Sequence, residues 1–314
     1  MRVFRGLPAA AGTPVALTIG NFDGVHRGHQ AMLTRLAEAA DDLALPAAVL
    51  TFDPHPREYF ARASAPPRLS TLRAKLERFA AHGVERTYIA RFDDRLAGIS
   101  AEEFIDSVLV RRLGARWVLV GEDFRFGKGR AGDIATLRTA AKTFSVEAMR
   151  TVSVDNERAS STAVRRVLAS GDLAYAAAML GRPFAIAGRV AHGAKLGRAL
   201  GFPTANIRLK HMPPVSGVFA VRVHGVDDVP LRGVASVGVR PTIADKGDPL
   251  LEVFIFDFDR DIYGRRMEVE FLHRLRDEER LPDLDTLKRR IRGDVDDAKA
   301  YFARQEPVAE LAAR

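Results

Sequence analysis

Val15-Ala-Leu-Thr-Ile19-Gly20-Asn21-Phe22-Asp23-Gly24-Val25-His26-Arg27-Gly28-His29 is an apolar run, a glycine-bearing turn and two histidines spaced His-x-Gly-His. Met32, Leu33, Leu36, Ala37 and Ala40 follow at helical spacing, so the stretch reads strand, turn, helix. Both imidazoles would then stand beside free backbone N–H groups at the positive end of a helix dipole, which is a ready anion site. Gly28 has no Cβ to keep a phosphate away from the backbone. Two surface histidines beside a turn would carry the same spacing. The strand before them and the helix after them favour the phosphate reading, and with it nucleotidyl transfer, in which fixed donors stabilise charge growing on phosphate oxygens.

Outward from this stretch, strands and helices alternate as far as about Leu180. Strands are expected at Val15–Ile19, Ala47–Phe52, Arg86–Ala90, Arg116–Val120 and Val146–Thr151. Helices are expected at His29–Ala40, Thr71–Ala81, Ala101–Leu113 (with Ser100 and Glu103 as a capping box) and Asp133–Phe144. Such alternation predicts a Rossmann-like α/β domain with a mainly parallel sheet and ligands at the carboxyl ends of its strands. After Gly181-Arg-Pro183 the texture changes. Runs at Phe184–Val190, Pro203–Leu209, Gly217–Val223, Leu231–Gly238, Leu251–Phe258 and Met267–Leu275 are short, β-branched or aromatic, and separated by turn residues. Six strands without intervening helices predict a small antiparallel β-barrel. One terminal helix follows over Asp283–Phe302, striped by Leu284, Leu287, Ile291, Val295, Ala298 and Phe302. The reading is two domains, residues 1–182 and 183–314.

The chain's 314 residues suit two cores. It has no cysteine, which excludes disulfides, cysteine-ligated zinc and thiol nucleophiles. It shows no apolar run of membrane-spanning length and no leader, so a cytoplasmic protein with no membrane partner is expected. The net charge of +8 comes from 40 Arg and 8 Lys, but they are dispersed, and no nucleic-acid partner is expected.

Further stretches belong with the opening one. Thr51-Phe-Asp-Pro-His55-Pro56 and Gly121-Glu-Asp123-Phe124-Arg-Phe-Gly127 follow the second and fourth strands at carboxyl ends. Ser160-Ser161-Thr162 with Arg165 opens a late helix where hydroxyls, N–H groups and a guanidinium can hold phosphate. Two apparent motifs fail. Gly127-Lys-Gly129-Arg-Ala-Gly132 lies several residues beyond its strand and lacks a dinucleotide fold's acidic ribose partner. Gly121 to Lys128 has five residues between the glycines and Gly129 where a P-loop has Ser or Thr.

In the second half, Gly193-Ala-Lys195-Leu-Gly197-Arg198 is a glycine-punctuated basic loop able to wrap phosphates. Thr204 and Asn206 begin the next strand two residues apart, with both oxygens on one side, and can complete a magnesium shell. Glu252, inside an apolar strand, either points to solvent or enters a cleft as a general base for an alcohol.

Taken together, Gly20–His29, Thr51–Pro56, Gly121–Gly127 and Ser160–Arg165 resemble the adenylyltransferase module of the bacterial bifunctional riboflavin kinase/FAD synthetase family. Gly193–Ile207, Gly233–Thr242 and Glu252 through Gly264 resemble its riboflavin kinase module. The resemblance implies ATP-dependent phosphorylation of riboflavin to FMN, then adenylylation of FMN to FAD with release of pyrophosphate, with Mg2+ as cofactor. It implies that His26 and His29 bind ATP phosphates and steady the transition state. Gly20, Asn21, Phe22, Asp23, Gly24 and Gly28 would form the turn around the nucleotide. Ser160, Ser161, Thr162 and Arg165 would close on the β- and γ-phosphates, and Asp123 and Phe124 would line the nucleotide and flavin site. In the kinase module, Gly193, Lys195, Gly197 and Arg198 would bind nucleotide, Thr204 and Asn206 the magnesium, and Glu252 would take the proton of the riboflavin 5′-hydroxyl. The chain departs from the family pattern at Ala163 (usually Arg, with Arg166 nearby), at Val239 (often Thr) and at Phe254 (often His).

Three alternatives stand beside this reading. One is a transferase of the same fold acting on another phosphorylated acceptor. A class I aminoacyl-tRNA synthetase lacks support, because no Lys-Met-Ser-Lys-Ser-like loop occurs. An RNA-binding module lacks a basic face or stacking aromatics. No obligatory protein partner is expected.

Overall fold

The computed structural model describes residues 1–61, 64–193, 197, 200–239, 249–279 and 282–305. Contacts divide the chain into two units, Met1–Pro66 with Ser70–Ser161, and Pro67–Leu69 with Thr162–Arg314.

The first unit is built on β1 (Arg2–Arg5), β2 (Val15–Ile19), β3 (Ala47–Asp53), β4 (Arg86–Arg91), β5 (Ala115–Gly121) and β6 (Ser145–Met149). They form one sheet in the order β1-β4-β3-β2-β5-β6, and every pairing is parallel. A parallel strand at the centre is covered on both faces and must be apolar throughout. Accordingly, β2 is buried at every position.

Helices α1 (Arg27–Asp42), α2 (Pro56–Phe60), α3 (Leu72–Ala81), α4 (Asp94–Gly98), α5 (Ala101–Glu103) and α6 (Ile134–Ala140) fill the crossovers. Leu33 and Leu36 of α1 and Phe79 of α3 pack with Ala16, Val49 and Leu119 on one face. Phe104, Leu109 and Leu137 pack with Val15, Leu17, Leu50 and Val118 on the other. Full burial of each such side chain contributes about 1.5–3 kcal/mol.

The expected helix 101–113 is α-helical only over α5 and continues as π-helix over Phe104–Arg112. The buried residues Phe104, Ile105, Val108, Leu109 and Leu113 recur at intervals of four and five. Winding with i→i+5 bonds, such as Leu113 N–H to the Val108 carbonyl at 3.0 Å, keeps that wider stripe on the sheet. The edge strand β1, exposed at all four positions, was not expected from the sequence.

The hairpin β7 (Ser153–Val154) and β8 (Glu157–Arg158) precedes α7 (Ser161–Ser170) and α8 (Leu173–Leu180). The second unit's sheet comprises β9 (Phe184–Arg189), β10 (Ala205–Arg208), β11 (Gly217–His224), β12 (Leu231–Val239), β13 (Pro249–Ile255) and β14 (Arg266–Arg276). Its order is β10-β13-β12-β11-β14-β9, antiparallel at every pairing. A bridge between Ala191 and Asn206 brings the two ends together, giving a nearly closed barrel. At that seam, Ile207 occupies the space that a Cβ on Gly188 would need.

The terminal helix α9 (Leu284–Gln305) lays Val295, Ala298 and Phe302 against Val218, Ala220 and Val234. The expected stripe is only partly buried, because Leu284 in the first turn is 56% exposed. Asp294 instead joins the covered face, taking a two-pronged ion pair from Arg276 at 2.7 and 2.8 Å. No helix among the described residues is long and apolar enough to cross a membrane.

Candidate active sites

In the first unit, the chain runs from β2 outward to β3 and β4, then crosses to the far side of β2 to make β5. The carboxyl ends of β2 and β5 therefore border a topological switch point, where open α/β sheets leave a crevice for ligands. Gly20 follows β2 at that edge and Gly121 ends β5 there.

The turn after β2 is tightly wound. Phe22, Gly24 and Val25 have φ of 51°, 82° and 42°. A β-branched residue at positive φ costs roughly 1–3 kcal/mol, and Val25 is held there by complete burial. Side chains from several elements tie the loop down, Gln30 and Thr51 donating to the Val25 and Asn21 carbonyls at 2.9 and 3.4 Å. Lys75, on α3, donates to the Asn21 carbonyl at 2.6 Å. Ser70 donates through its N–H (3.1 Å) and hydroxyl (3.2 Å) to Asp23 Oδ1. Ser161 donates through its hydroxyl to the Asp23 carbonyl at 2.8 Å. Asp23, which the sequence assigned to the nucleotide, thus spends one carboxylate oxygen holding the turn.

His26 is the N-cap of α1, without a side-chain cap bond and with no acidic residue in the first turn. The positive end of such a helix is suited to an anion. The rings of His26 and His29 stack with centroids 3.7 Å apart and planes 23° from parallel. Phe22 supports His29 from the side at 4.9 Å. Burial, with the nearby His26 and Lys75 adding to it, holds the His29 imidazole well below the usual histidine range, so this ring is neutral near pH 7. Its Nδ1 and the Asn21 Oδ1 are buried with no hydrogen-bond partner among the described residues. A Cβ on Gly28 would meet the Ala159 carbonyl and the His26 ring at 3.2 Å, which accounts for glycine between the two histidines.

The remaining predicted residues of this set spread more widely. Asp123 is exposed and pairs with Arg158 at 2.7 Å, and Phe124 stacks on Phe126 at 5.4 Å. Ser160 is half-buried and Thr162 exposed. Within the second unit, Arg165 donates to the Pro67 carbonyl at 2.6 Å. His55 of the Pro-His-Pro turn caps α2, accepting from the Arg57 N–H at 3.0 Å. Near it Phe52, Tyr59, Phe60 and Phe92 form edge-on ring contacts, with Phe60 69% exposed. Sequence reasoning missed Lys75. Its available signal was a lysine on the same helical stripe as Leu72, Leu76 and Phe79.

In the second unit, Asn206 and Glu252 are direct cross-strand partners of β10 and β13. Asn206 is 5% exposed, its Nδ2 donates to the Thr204 carbonyl at 3.1 Å, and its Oδ1 has no partner among the described residues. Thr204 precedes the strand, which begins at Ala205 rather than at Pro203. Gly193 packs so closely on Asn206 that a Cβ would lie 2.6 Å from its amide, and a Cβ on Gly197 would strike the Phe202 carbonyl. Lys195 and Arg198 lie outside the described residues, as do 240–242 of the Gly233–Thr242 motif. Beside Thr204 a cavity of about 300 Å³ is lined by Val190, Val253, Ile255 and Tyr263, with Tyr263 against His192 at 3.8 Å. Phe254 meets Phe202 edge-on at 5.4 Å.

The sequence profile of the FAD synthetase family matches residues 9–163, and that of the riboflavin kinase family matches residues 180–302. Over 307 residues the chain is 47% identical to a bifunctional riboflavin kinase/FMN adenylyltransferase of Haemophilus influenzae, covering 96% of this chain and 99% of that relative. It is 44% identical to the enzyme of the same name from Escherichia coli K12, covering 98% and 100%. A crystal structure described as a macrolide-efflux protein of Streptococcus pneumoniae matches with a TM-score of 0.79 at 27% identity, covering 97% of this chain and 99% of that one.

Proposed function

The chain belongs to the bifunctional riboflavin kinase/FMN adenylyltransferase family, and on that premise we propose how its residues divide the work. It phosphorylates riboflavin with ATP to give FMN, and adenylylates FMN with a second ATP to give FAD. Residues 1–182 serve the adenylyl transfer and 183–314 the phosphorylation, a division supported by profiles that meet between residues 163 and 180.

The observation carrying the first assignment is the stacked His26–His29 pair at the switch point, with the buried His29 Nδ1 and Asn21 Oδ1 lacking partners among the described residues. An oxygen of the FMN phosphate attacks the ATP α-phosphorus, and the bond to the β-phosphate oxygen breaks to release pyrophosphate. FMN phosphate is already a nucleophile at neutral pH, so the site needs alignment and charge neutralisation more than a strong base. His26, His29 and the N-terminus of α1 supply donors to the phosphates. Ser160, Ser161, Thr162 and Arg165 are assigned to the β- and γ-phosphates on their motif. Phe124 and the exposed ring of Phe60 offer flat surfaces for the isoalloxazine.

The second assignment rests on the Asn206–Glu252 pair. Glu252 takes the proton of the riboflavin 5′-hydroxyl, whose oxygen attacks the ATP γ-phosphorus as ADP leaves. The Oδ1 of Asn206, without a partner among the described residues, is the kind of neutral oxygen ligand that suits a hard cation, so Thr204 and Asn206 fit as holders of magnesium. When bound, magnesium supplies neutralisation of charge on the phosphates. Gly193 and Gly197 stand where a Cβ would strike the Asn206 amide and the Phe202 carbonyl.

Incubating the purified chain with riboflavin, ATP and magnesium, then separating the flavins chromatographically, should show FMN first and FAD after it. Supplied FMN should yield FAD without riboflavin. Absence of both products would overturn the reading.

A further inference from the structure

Phe104 and Leu113 are both buried in one core against the parallel sheet. They stand nine positions apart, which is about two and a half turns of an α-helix, so α winding would point them to opposite sides. The π-helical stretch Phe104–Arg112 holds more residues in each turn and brings both to the same side. Its outer surface follows the same wide period. Arg111 pairs with Asp106 at 2.8 Å across five positions, whereas the facing neighbours on an α-helix are three and four apart.

Leu113 is held in place by β5, which starts at Ala115, so the winding decides where the other end comes to lie. That end carries the loop after β5. Phe104 packs on Phe126 at 5.4 Å, and Phe126 stacks on Phe124 at 5.4 Å with planes 16° apart. Phe126 and Gly132 exchange backbone bonds of 3.1 and 2.9 Å that close the loop on itself. The Lys128 N–H fastens it to the helix start, on the Ile99 carbonyl at 2.7 Å. A Cβ on Gly127 would lie 2.8 Å from the Ala101 nitrogen, and one on Gly132 would lie 2.7 Å from the Phe126 ring. Loop and helix start therefore move as one packed piece. Because Gly121 ends β5 at the switch point, this loop forms the β5 wall of the crevice.

We propose that the π-helical segment is a positioning element for adenylyl transfer. Its wide turns set Phe104 beneath Phe126, and the stack from Phe126 to Phe124 sets the loop after β5 at the edge of the crevice where FMN is adenylylated. Phe104 and Phe126 are buried and act through this loop as positioning residues. The inference rests on the adenylyltransferase reading of the first unit.

The test is deletion of Asp106, an exposed residue, in the full chain. Phe104 and Leu113 are then eight positions apart, about 2.2 turns, so an ordinary α-helix keeps both in the core while moving Phe104 along and around its axis. The kcat/KM for FAD formation from FMN should fall roughly ten- to hundredfold, the scale of a small displacement in the lining of a site. The urea midpoint followed by the fluorescence of Trp117, buried in the same unit, should not fall, and riboflavin phosphorylation should be unchanged. A segment that served only to fill the core would not separate activity from stability in this way. Wild-type FAD formation in a deletion variant that keeps its midpoint overturns the proposal.

Phe104→Leu and Phe126→Leu test it without changing the length of the chain. Each keeps the core apolar, removes one ring of the stack and should lower the same kcat/KM. The double variant should lose no more than the worse single, since both rings act in one column. Additive losses, or none, overturn the proposal even where the deletion variant fails to fold. The adenylyltransferase reading fails separately, if the wild-type chain makes no FAD from FMN and ATP.

Discussion

His26 and His29 lie face to face across the first turn of α1, with ring centroids 3.7 Å apart. Two imidazoles so close cannot both be charged at small cost, yet both stand where a triphosphate would supply negative charge. Replacing both with Ala should lower FAD formation from FMN by about 10²–10³-fold, the scale of losing oriented donors to a phosphoryl transition state. Phosphorylation of riboflavin should continue, so FMN should accumulate in flavin chromatograms. Near-normal FAD synthesis in this variant would remove the histidine pair from the site.

The neutral His29 also makes stability depend on pH with a definite sign. Its folded-state proton affinity is depressed, first by burial. Below about pH 6.5 the unfolded chain therefore binds a proton that the folded one refuses, and stability falls as the pH falls, by up to about 1.4 kcal/mol per pH unit. Trp117, the single tryptophan, is buried in the first unit and reports its unfolding. Urea midpoints followed by its fluorescence should drop from pH 7 to pH 5 in the wild type and drop less in His29→Asn.

Lys75 supplies a buried cation whose ammonium reaches the Asn21 carbonyl. Lys75→Met keeps the length and apolar stem of the side chain but loses this bond and its charge. Adenylyl transfer should fall by roughly tenfold or more while riboflavin phosphorylation is unaffected, because a charged hydrogen bond contributes about 1.5–3 kcal/mol. Equal rates in both half-reactions would show that the turn needs no clamp.

Why the sequence disclosed some of this and not the rest follows from the range of each interaction. β2, its turn and α1 were readable because a strand buried on both faces, a glycine turn and a 3.6-residue period are all local signals. β1 was not, because Arg2-Val-Phe-Arg5 is short, charged at both ends and exposed. The π-helical stretch was missed because Phe104, Ile105, Val108 and Leu109 also fit an α-helical stripe. Lys75 drew no reading from the sequence: its place on the stripe of Leu72, Leu76 and Phe79 hints at burial, but its contact with the Asn21 turn comes only from the tertiary approach of α3. The neighbourhood of Asn206 and Glu252 depends on the pairing of β10 with β13. Local periodicity shows which face of a strand is buried, not which distant strand it pairs with.

Arg276, half-buried, and Asp294, buried, form a two-pronged ion pair between β14 and α9. Removing Asp294 takes away two charged hydrogen bonds and leaves Arg276 its longer pair with Glu279 at 3.4 Å, at a cost of about 1.5–3 kcal/mol. Asp294→Ala should therefore lower the temperature at which riboflavin phosphorylation is lost, and leave the Trp117 transition of the first unit where it was. Equal shifts of both transitions would contradict independent stability of the two units.

Glu252 offers the sharpest separation of the two chemistries. Glu252→Gln preserves size and can still accept hydrogen bonds, but it cannot take a proton from the 5′-hydroxyl. General-base assistance accounts for about 10²–10⁴ in rate, so turnover of riboflavin should fall by that factor. Because Glu252 lies on β13, paired with Asn206 and Ser236 on either side, the substitution leaves the barrel ladder intact. Conversion of supplied FMN to FAD should proceed at the wild-type rate, since the His26–His29 turn belongs to the other unit. Assayed in one preparation, the two half-reactions control for each other. A variant that still phosphorylates riboflavin at full turnover would require a different base, and one that loses both activities would mean that the two centres are not independent.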